Sequence, residues 1–209
     1  IDKEMEKKYG RTPKAMVESA FMHIGLLNKF DFDDIVISIK SSNVLSMIEA
    51  YERVAQMCNY PLHLGVTESG TERMGIIKSS VGIGSLLVRG IGDTIRVSLT
   101  DDPVKEVYAG FDILKGIGLY KETPTLVSCP TCGRTKIDLV GIAKKVEKAL
   151  ALVAEERENA GKRSITVAVM GCAVNGPGEA KNADIGVAGG KDEALLFKKG
   201  IPVRKIKTE

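Results

Sequence analysis

The sequence predicts a chain in two parts: an α/β region over residues 1–120 built on a parallel sheet, and a smaller α+β domain over residues 121–209. Three observations carry this. Short apolar runs rich in β-branched residues alternate three times with helical patterns; composition shifts to turn and polar residues over 116–123; and beyond that point three cysteines sit on loops rich in glycine and proline.

Residues 1–28 read as helical, with Thr12 as cap and Pro13 in a first turn, and with Ala15, Met16, Ser19, Ala20, Ile24 and Leu27 at helical spacing. The run 34–40, DIVISIK, is a short buried strand, and 43–57 is a helix lined by Val44, Met47, Ile48, Tyr51 and Val54. A second unit has a strand at 62–67, a glycine-rich loop through Gly75 and a helix over 76–89; a third has a strand at 94–99 and a helix over 103–115. Such units suit a (β/α) barrel or an open doubly wound sheet, and no G-x-G-x-x-G follows any of the strands, which weighs against a dinucleotide fold. In the second part we expect strands at 125–128, 165–170 and 184–187, a helix over 138–157, and a terminal hairpin from 194–198 and 203–206.

Composition bounds the function. A chain of 209 residues with 44% hydrophobic and 27% charged residues is ordinary globular material. The formal charge of +3 is too small and too evenly spread to indicate a nucleic-acid or membrane surface. No apolar run reaches membrane-spanning length, and four cysteines with Cys58 isolated do not form a paired disulfide framework, so we expect a reducing cytoplasm. The opening IDKEMEKKYG is a helical stretch with no preceding strand, and we expect the chain to be a fragment lacking the N-terminal part of its first domain.

The chemistry is concentrated in SCPTCGR, residues 128–134, and GCAVNGPGE, residues 171–179. Cys129 and Cys132 share one tight loop, Cys172 arrives on a second, and three soft donors on two loops suit a metal ion or cluster. Zinc binding and a thioredoxin-like redox pair remain open on cysteine spacing alone. An anionic oxygen donor as fourth ligand is chemically sensible, because iron held by three thiolates accepts a harder, more exchangeable partner.

These two stretches, together with HLGVTESG and GIGDTIRVSL, resemble the 4-hydroxy-3-methylbut-2-enyl diphosphate synthase family, the iron–sulfur enzymes of the non-mevalonate isoprenoid pathway. The resemblance extends over essentially all of the chain, and NGPGE is far more specific than a bare Cys-x-x-Cys. It implies the C-terminal part of a (β/α)8 barrel followed by a [4Fe–4S] domain, with Cys129, Cys132, Cys172 and Glu179 as cluster ligands. It also implies reduction of 2-C-methyl-D-erythritol 2,4-cyclodiphosphate, flavodoxin or ferredoxin as electron donor, a homodimer in which one subunit's barrel meets the other's cluster domain, and a fragment inactive by itself.

In a parallel barrel, chemistry gathers where strands end. Lys40 closes an otherwise apolar run; a solvated strand end is the plain alternative to an anion contact. Arg96 lies two positions before Ser98, so both point to one face of the strand, and a guanidinium so placed needs an anion, either a diphosphate or Glu68. The resemblance assigns Lys40, Arg96, Ser98 and Asn175 to substrate binding, and Thr67 and Glu68 to the reaction centre, with Glu68 a candidate acid. His23, His63 and Cys58 are expected to be structural. The basic stretch KKGIPVRKIK reads as a solvated face, with docking of an acidic electron donor as the weaker alternative.

Overall fold

The computed structural model describes residues 1–120, 123–174, 176–191 and 193–207. It divides into two compact units, Ile1–Tyr120 and Lys121–Glu209.

In the first unit, helix α1 (Lys3–Tyr9) is capped by Asp2, whose carboxylate accepts the Glu4 N–H at 2.8 Å. Helix α2 (Pro13–Asn28) opens as expected: the Thr12 hydroxyl accepts the Ala15 N–H at 3.2 Å and proline fills the first turn. Asn43 caps α3 (Val44–Met57) through Ser46 N–H, and Asp102 caps α5 (Pro103–Gly116) through Val104 N–H. Helix α4 (Glu72–Leu87) begins four residues before the expected start at 76. Gly75, which read as loop, lies inside it, and a side chain there would not fit, since Leu99 Cδ2 stands only 2.5 Å from where a Cβ would be.

The sheet is parallel but far less regular than expected. Only His63–Leu64 (β1) and Thr94–Ile95 (β2) form a ladder, with His63 opposite Thr94; the run at 34–40 makes isolated parallel bridges, Ile37 to Leu62 and Ser41 to Val66. The cause lies in side chains that take over ladder positions. Between those bridges the Tyr51 hydroxyl accepts the Ile39 N–H at 2.9 Å and donates to the His63 carbonyl at 2.5 Å, so a phenol from α3 occupies the place of a direct strand-to-strand bond. Burial raises the Tyr51 pKa, which keeps the donor proton in place. Farther along, Ser69 donates to the Ser98 carbonyl and Glu106 accepts the Leu99 N–H at 2.7 Å, which ends the pairing of β2.

Alternation along the three segments is nonetheless strict. Ile37, Ile39, Leu62, Leu64, Val66 and Val97 are buried against Met47, Val54, Ile83 and Leu86 of the helices, each such side chain contributing about 1.5–3 kcal/mol. The opposite face carries Ser38, Lys40, His63, Gly65, Thr67, Thr94, Arg96 and Ser98. No closed barrel is present among the described residues: the sheet has three parallel segments, and its outer segments have no further strand partner. An open groove of about 390 Å³ between α2 and residues 35–40 marks one edge, and one of about 270 Å³ between β2 and α5 marks the other.

The second unit follows the expected element order. A five-stranded sheet has the order β3 (Thr125–Ser128), β4 (Thr166–Met170), β5 (Ile185–Ala188), β6 (Glu193–Lys198), β7 (Ile201–Lys207); the first three are parallel and the last two close an antiparallel meander. Helix α6 (Leu139–Asn159) links β3 to β4, and Asp138 accepts the Gly141 N–H at 3.0 Å at its start. The GPGE stretch, expected as a turn, is one turn of helix, α7 (Gly176–Glu179). Gly176 is required there, since a Cβ would stand 2.8 Å from both Met170 Cβ and Ala188 Cβ, and its absence lets α7 settle on β4 and β5. Asp184 ties β4 to β5 by accepting the Thr166 N–H at 3.0 Å and pairing with Arg163. Among the described residues no helix is long and apolar enough to cross a membrane.

The Tyr51 bridge is testable. Tyr51→Phe keeps the ring but strands the Ile39 N–H and the His63 carbonyl, and should cost about 1–3 kcal/mol in urea unfolding. An unchanged midpoint would show that the two groups pair directly without the phenol.

Candidate functional site

In the first unit the candidate residues fall in register. The bridges at 37 and 41 and the β1–β2 ladder set Ser38, His63 and Thr94 in one row across the three segments, and Lys40, Gly65 and Arg96 in the next. Thr67 and Ser98 follow at the strand exits. The Arg96 N–H bonds the Leu64 carbonyl at 2.9 Å and the Thr67 N–H bonds the Ser41 carbonyl at 3.3 Å, so backbone contacts hold the row.

Lys40 is half-buried and its pKa is lowered, first by burial and then by the Arg96 guanidinium. Two cations thus face each other across Gly65, and among the described residues neither has an ion-pair partner. The alternative of an Arg96–Glu68 pair is not realised. Glu68 is exposed and lies just past Thr67 with φ 51, a left-handed conformation that costs a non-glycine residue on the order of 1 kcal/mol.

His63, expected to be structural, belongs to this face. Its Nδ1 is 2.8 Å from Thr94 Oγ1, and burial, then Lys40, then Arg96 lower its pKa. The signal was in the sequence: His63 lies four positions before Thr67, an even offset along a strand, so the two share a face. His23 does take a structural role, with Nδ1 at 2.7 Å from the Ser19 carbonyl, and Cys58 packs half-buried against the first unit's core.

In the second unit the two cysteine loops leave the same ends of adjacent parallel strands: β3 runs into Cys129 and β4 into Gly171 and Cys172. The Gly171 N–H donates to Cys129 Sγ at 3.2 Å, and the Lys136 N–H bonds the Gly171 carbonyl at 3.2 Å, so stretches forty residues apart lie side by side. Thr135 fills the space beside Gly171, and its hydroxyl accepts the Cys132 N–H at 3.1 Å. Hydrogen bonds from the Arg134 backbone and the Thr135 side chain hold the Cys132 thiol below the usual range. All four cysteines are free thiols. Cys129 packs on the unit's core and Cys132 is exposed; Cys172 precedes α7, at whose end stands exposed Glu179. The loops are brought together, but no group of three or more His, Cys, Asp or Glu among the described residues is gathered as a metal-binding set. The donor set still fits an iron–sulfur cluster in kind: three thiols and a carboxylate, with a backbone N–H already directed at one sulfur. Asn175 lies outside the described residues.

Comparison with known proteins bears on both units. Residues 1–111 match the family model of the GcpE TIM-barrel domain, and residues 125–209 that of the GcpE protein C-terminal domain. Over 210 residues the chain is 59% identical to 4-hydroxy-3-methylbut-2-en-1-yl diphosphate synthase (flavodoxin) of Clostridium perfringens, covering 100% of this chain and 58% of that protein. The protein of the same name from Clostridium tetani is 58% identical with the same coverage, and that of Fusobacterium nucleatum 53% over 207 residues, covering 99% and 56%. The chain therefore spans less than two thirds of the length of the curated relatives it matches.

The polar face makes a pH prediction. The depressed pKa of His63 means that the unfolded chain binds its proton more readily, so this contribution to stability is present above pH ~6.5 and is lost as pH falls through the lower folded value. In an NMR titration His63 should titrate below the ordinary histidine value, and Lys40→Met should raise it. A His63 pKa unmoved by that substitution would show that the two groups do not share a face.

Proposed function

The chain belongs to the GcpE family, and from that premise we propose that the protein to which it belongs reduces 2-C-methyl-D-erythritol 2,4-cyclodiphosphate to 4-hydroxy-3-methylbut-2-enyl diphosphate. The substrate takes up two electrons and two protons, the cyclic diphosphate opens at carbon, and one hydroxyl leaves as water. Residues 1–120 bind the substrate, and residues 121–209 form the cluster domain. The observation that carries this reading is the Gly171 N–H contact with Cys129 Sγ, which supports a shared site for two loops far apart in sequence.

The residues divide the work. Arg96 offers the diphosphate a two-pronged donor and Lys40 a point charge, while the Ser98 and Thr67 hydroxyls bind at the strand exits and Asn175 contributes an amide. Glu68, presented on its strained turn, delivers a proton to the departing hydroxyl. Cys129, Cys132, Cys172 and Glu179 would hold a [4Fe–4S] cluster, which would supply electrons one at a time. Glu179 would be the one oxygen donor of the four, a harder and more exchangeable ligand than a thiolate. Flavodoxin, present in the relatives' names, serves as electron donor. We place the working enzyme in the cytoplasm as a homodimer in which the cluster domain of one subunit completes the substrate site of the other. This portion alone would be inactive.

The decisive measurement is the absorption spectrum of anaerobically prepared protein with iron and sulfide assays; a colourless protein containing zinc would overturn the reading. In protein of the relatives' full length, Glu179→Cys should retain iron and sulfide while turnover of the cyclodiphosphate with a chemical reductant falls about 100-fold or more. Parental turnover in that variant would show that no exchangeable position is needed.

A further inference from the structure

Gly65 sits in the middle of the central strand segment, where a branched side chain would ordinarily be favoured, and it is buried. Its φ lies outside the left-handed region, so no backbone geometry calls for glycine there. The need is spatial. A Cβ would stand 2.8 Å from the Arg96 carbonyl oxygen, 3.1 Å from Lys40 Cε and 3.6 Å from Lys40 Cδ. The distal carbons of Lys40 therefore pass over the central segment at this residue.

Register adds the second observation. Lys40, Gly65 and Arg96 occupy one row across three parallel segments, so two cations flank a position with no side chain. Neighbouring strands lie about 4.8 Å apart, which puts the outer two backbones of the row about 10 Å apart, a span that a phosphate group held between two side chains can bridge. Like charges do not approach each other without cause, and no carboxylate among the described residues pairs with either of them.

We propose that Gly65 is a positioning residue for anion binding: the space left by its missing side chain forms the floor of a phosphate seat and lets Lys40 lean across the strand toward Arg96. The inference rests on the substrate-binding role given above to the first unit, and adds a residue that donates nothing to the ligand. Any side chain at 65 displaces the distal carbons of Lys40.

The test is a double-substitution cycle in protein of the relatives' full length, read by calorimetric binding of inorganic pyrophosphate and by thermal melting. Gly65→Ala should weaken pyrophosphate binding about tenfold, the effect of misplacing one charge-assisted contact, and should weaken it no further in a Lys40→Ala background. Parental affinity in Gly65→Ala, or losses that add in full, would overturn the inference. Should Gly65→Ala melt too early for binding to be measured, Lys40→Ala should restore part of its melting temperature by removing the crowded Cδ and Cε; no restoration would overturn it as well. A spectroscopic arm separates positioning from bulk stability: the NMR titration of isotopically methylated Lys40 should move up toward the ordinary lysine range in Gly65→Ala, and an unmoved titration would contradict the inference. If the parent binds neither pyrophosphate nor the cyclodiphosphate, the functional reading fails, whereas the melting and titration arms still decide the role of Gly65.

Discussion

One phenol organises the first unit. The Tyr51 hydroxyl takes the Ile39 N–H and gives its proton to the His63 carbonyl, so the first and central segments are joined through a helix side chain where strands would otherwise bond directly. The interposed oxygen lies between the parallel bridges Ile37–Leu62 and Ser41–Val66, the same stretch that holds Lys40 opposite Gly65. The same residue is fully buried in one core with Met47, Val54 and Leu64, so the helix that covers the sheet also supplies the bonds that join two of its segments.

The second unit solves a comparable problem with small residues. Two cysteine loops leave the ends of β3 and β4 side by side, and side chains would hold them apart. Gly176 removes the obstacle beneath α7, and Gly171 presents its N–H to Cys129 while Thr135 packs against its open side. The Asp184 link to Thr166 and Arg163 fixes the far ends of β4 and β5, so the loop between them is anchored at its return.

Much of this could be read from the sequence, for identifiable reasons. The helix cap at Thr12 follows from local chemistry and appears with its expected hydrogen bond, while Asn43, read as the first helical residue, proves to be the cap of α3. The five strands and the long helix of the second unit were legible because their apolar runs are bounded by glycine and polar turns. Strand lengths in the first unit were not, because the Tyr51, Ser69 and Glu106 side chains that replace ladder bonds come from distant positions. The start of α4 was missed because Gly75 read as a loop residue, whereas its lack of a side chain makes room for Leu99 within the helix. Among the residues of the polar face, His63 read as structural because it looked like an ordinary strand histidine, and Gly65 drew no attention because it carries no functional group.

The strict separation of the sheet's faces has a consequence for how the chain reaches its fold. A slip of one residue in any of the three segments would turn Lys40, His63 or Arg96 toward Met47, Ile83 and Leu86, and would bring Ile39, Leu64 or Val97 into water. Burying an unpaired cation costs far more than the misplaced alkyl groups regain, so every misaligned pairing is strongly penalised. Lys40, His63 and Arg96 thereby also act as proofreaders of strand alignment, and the polar face guards the fold as the chain assembles.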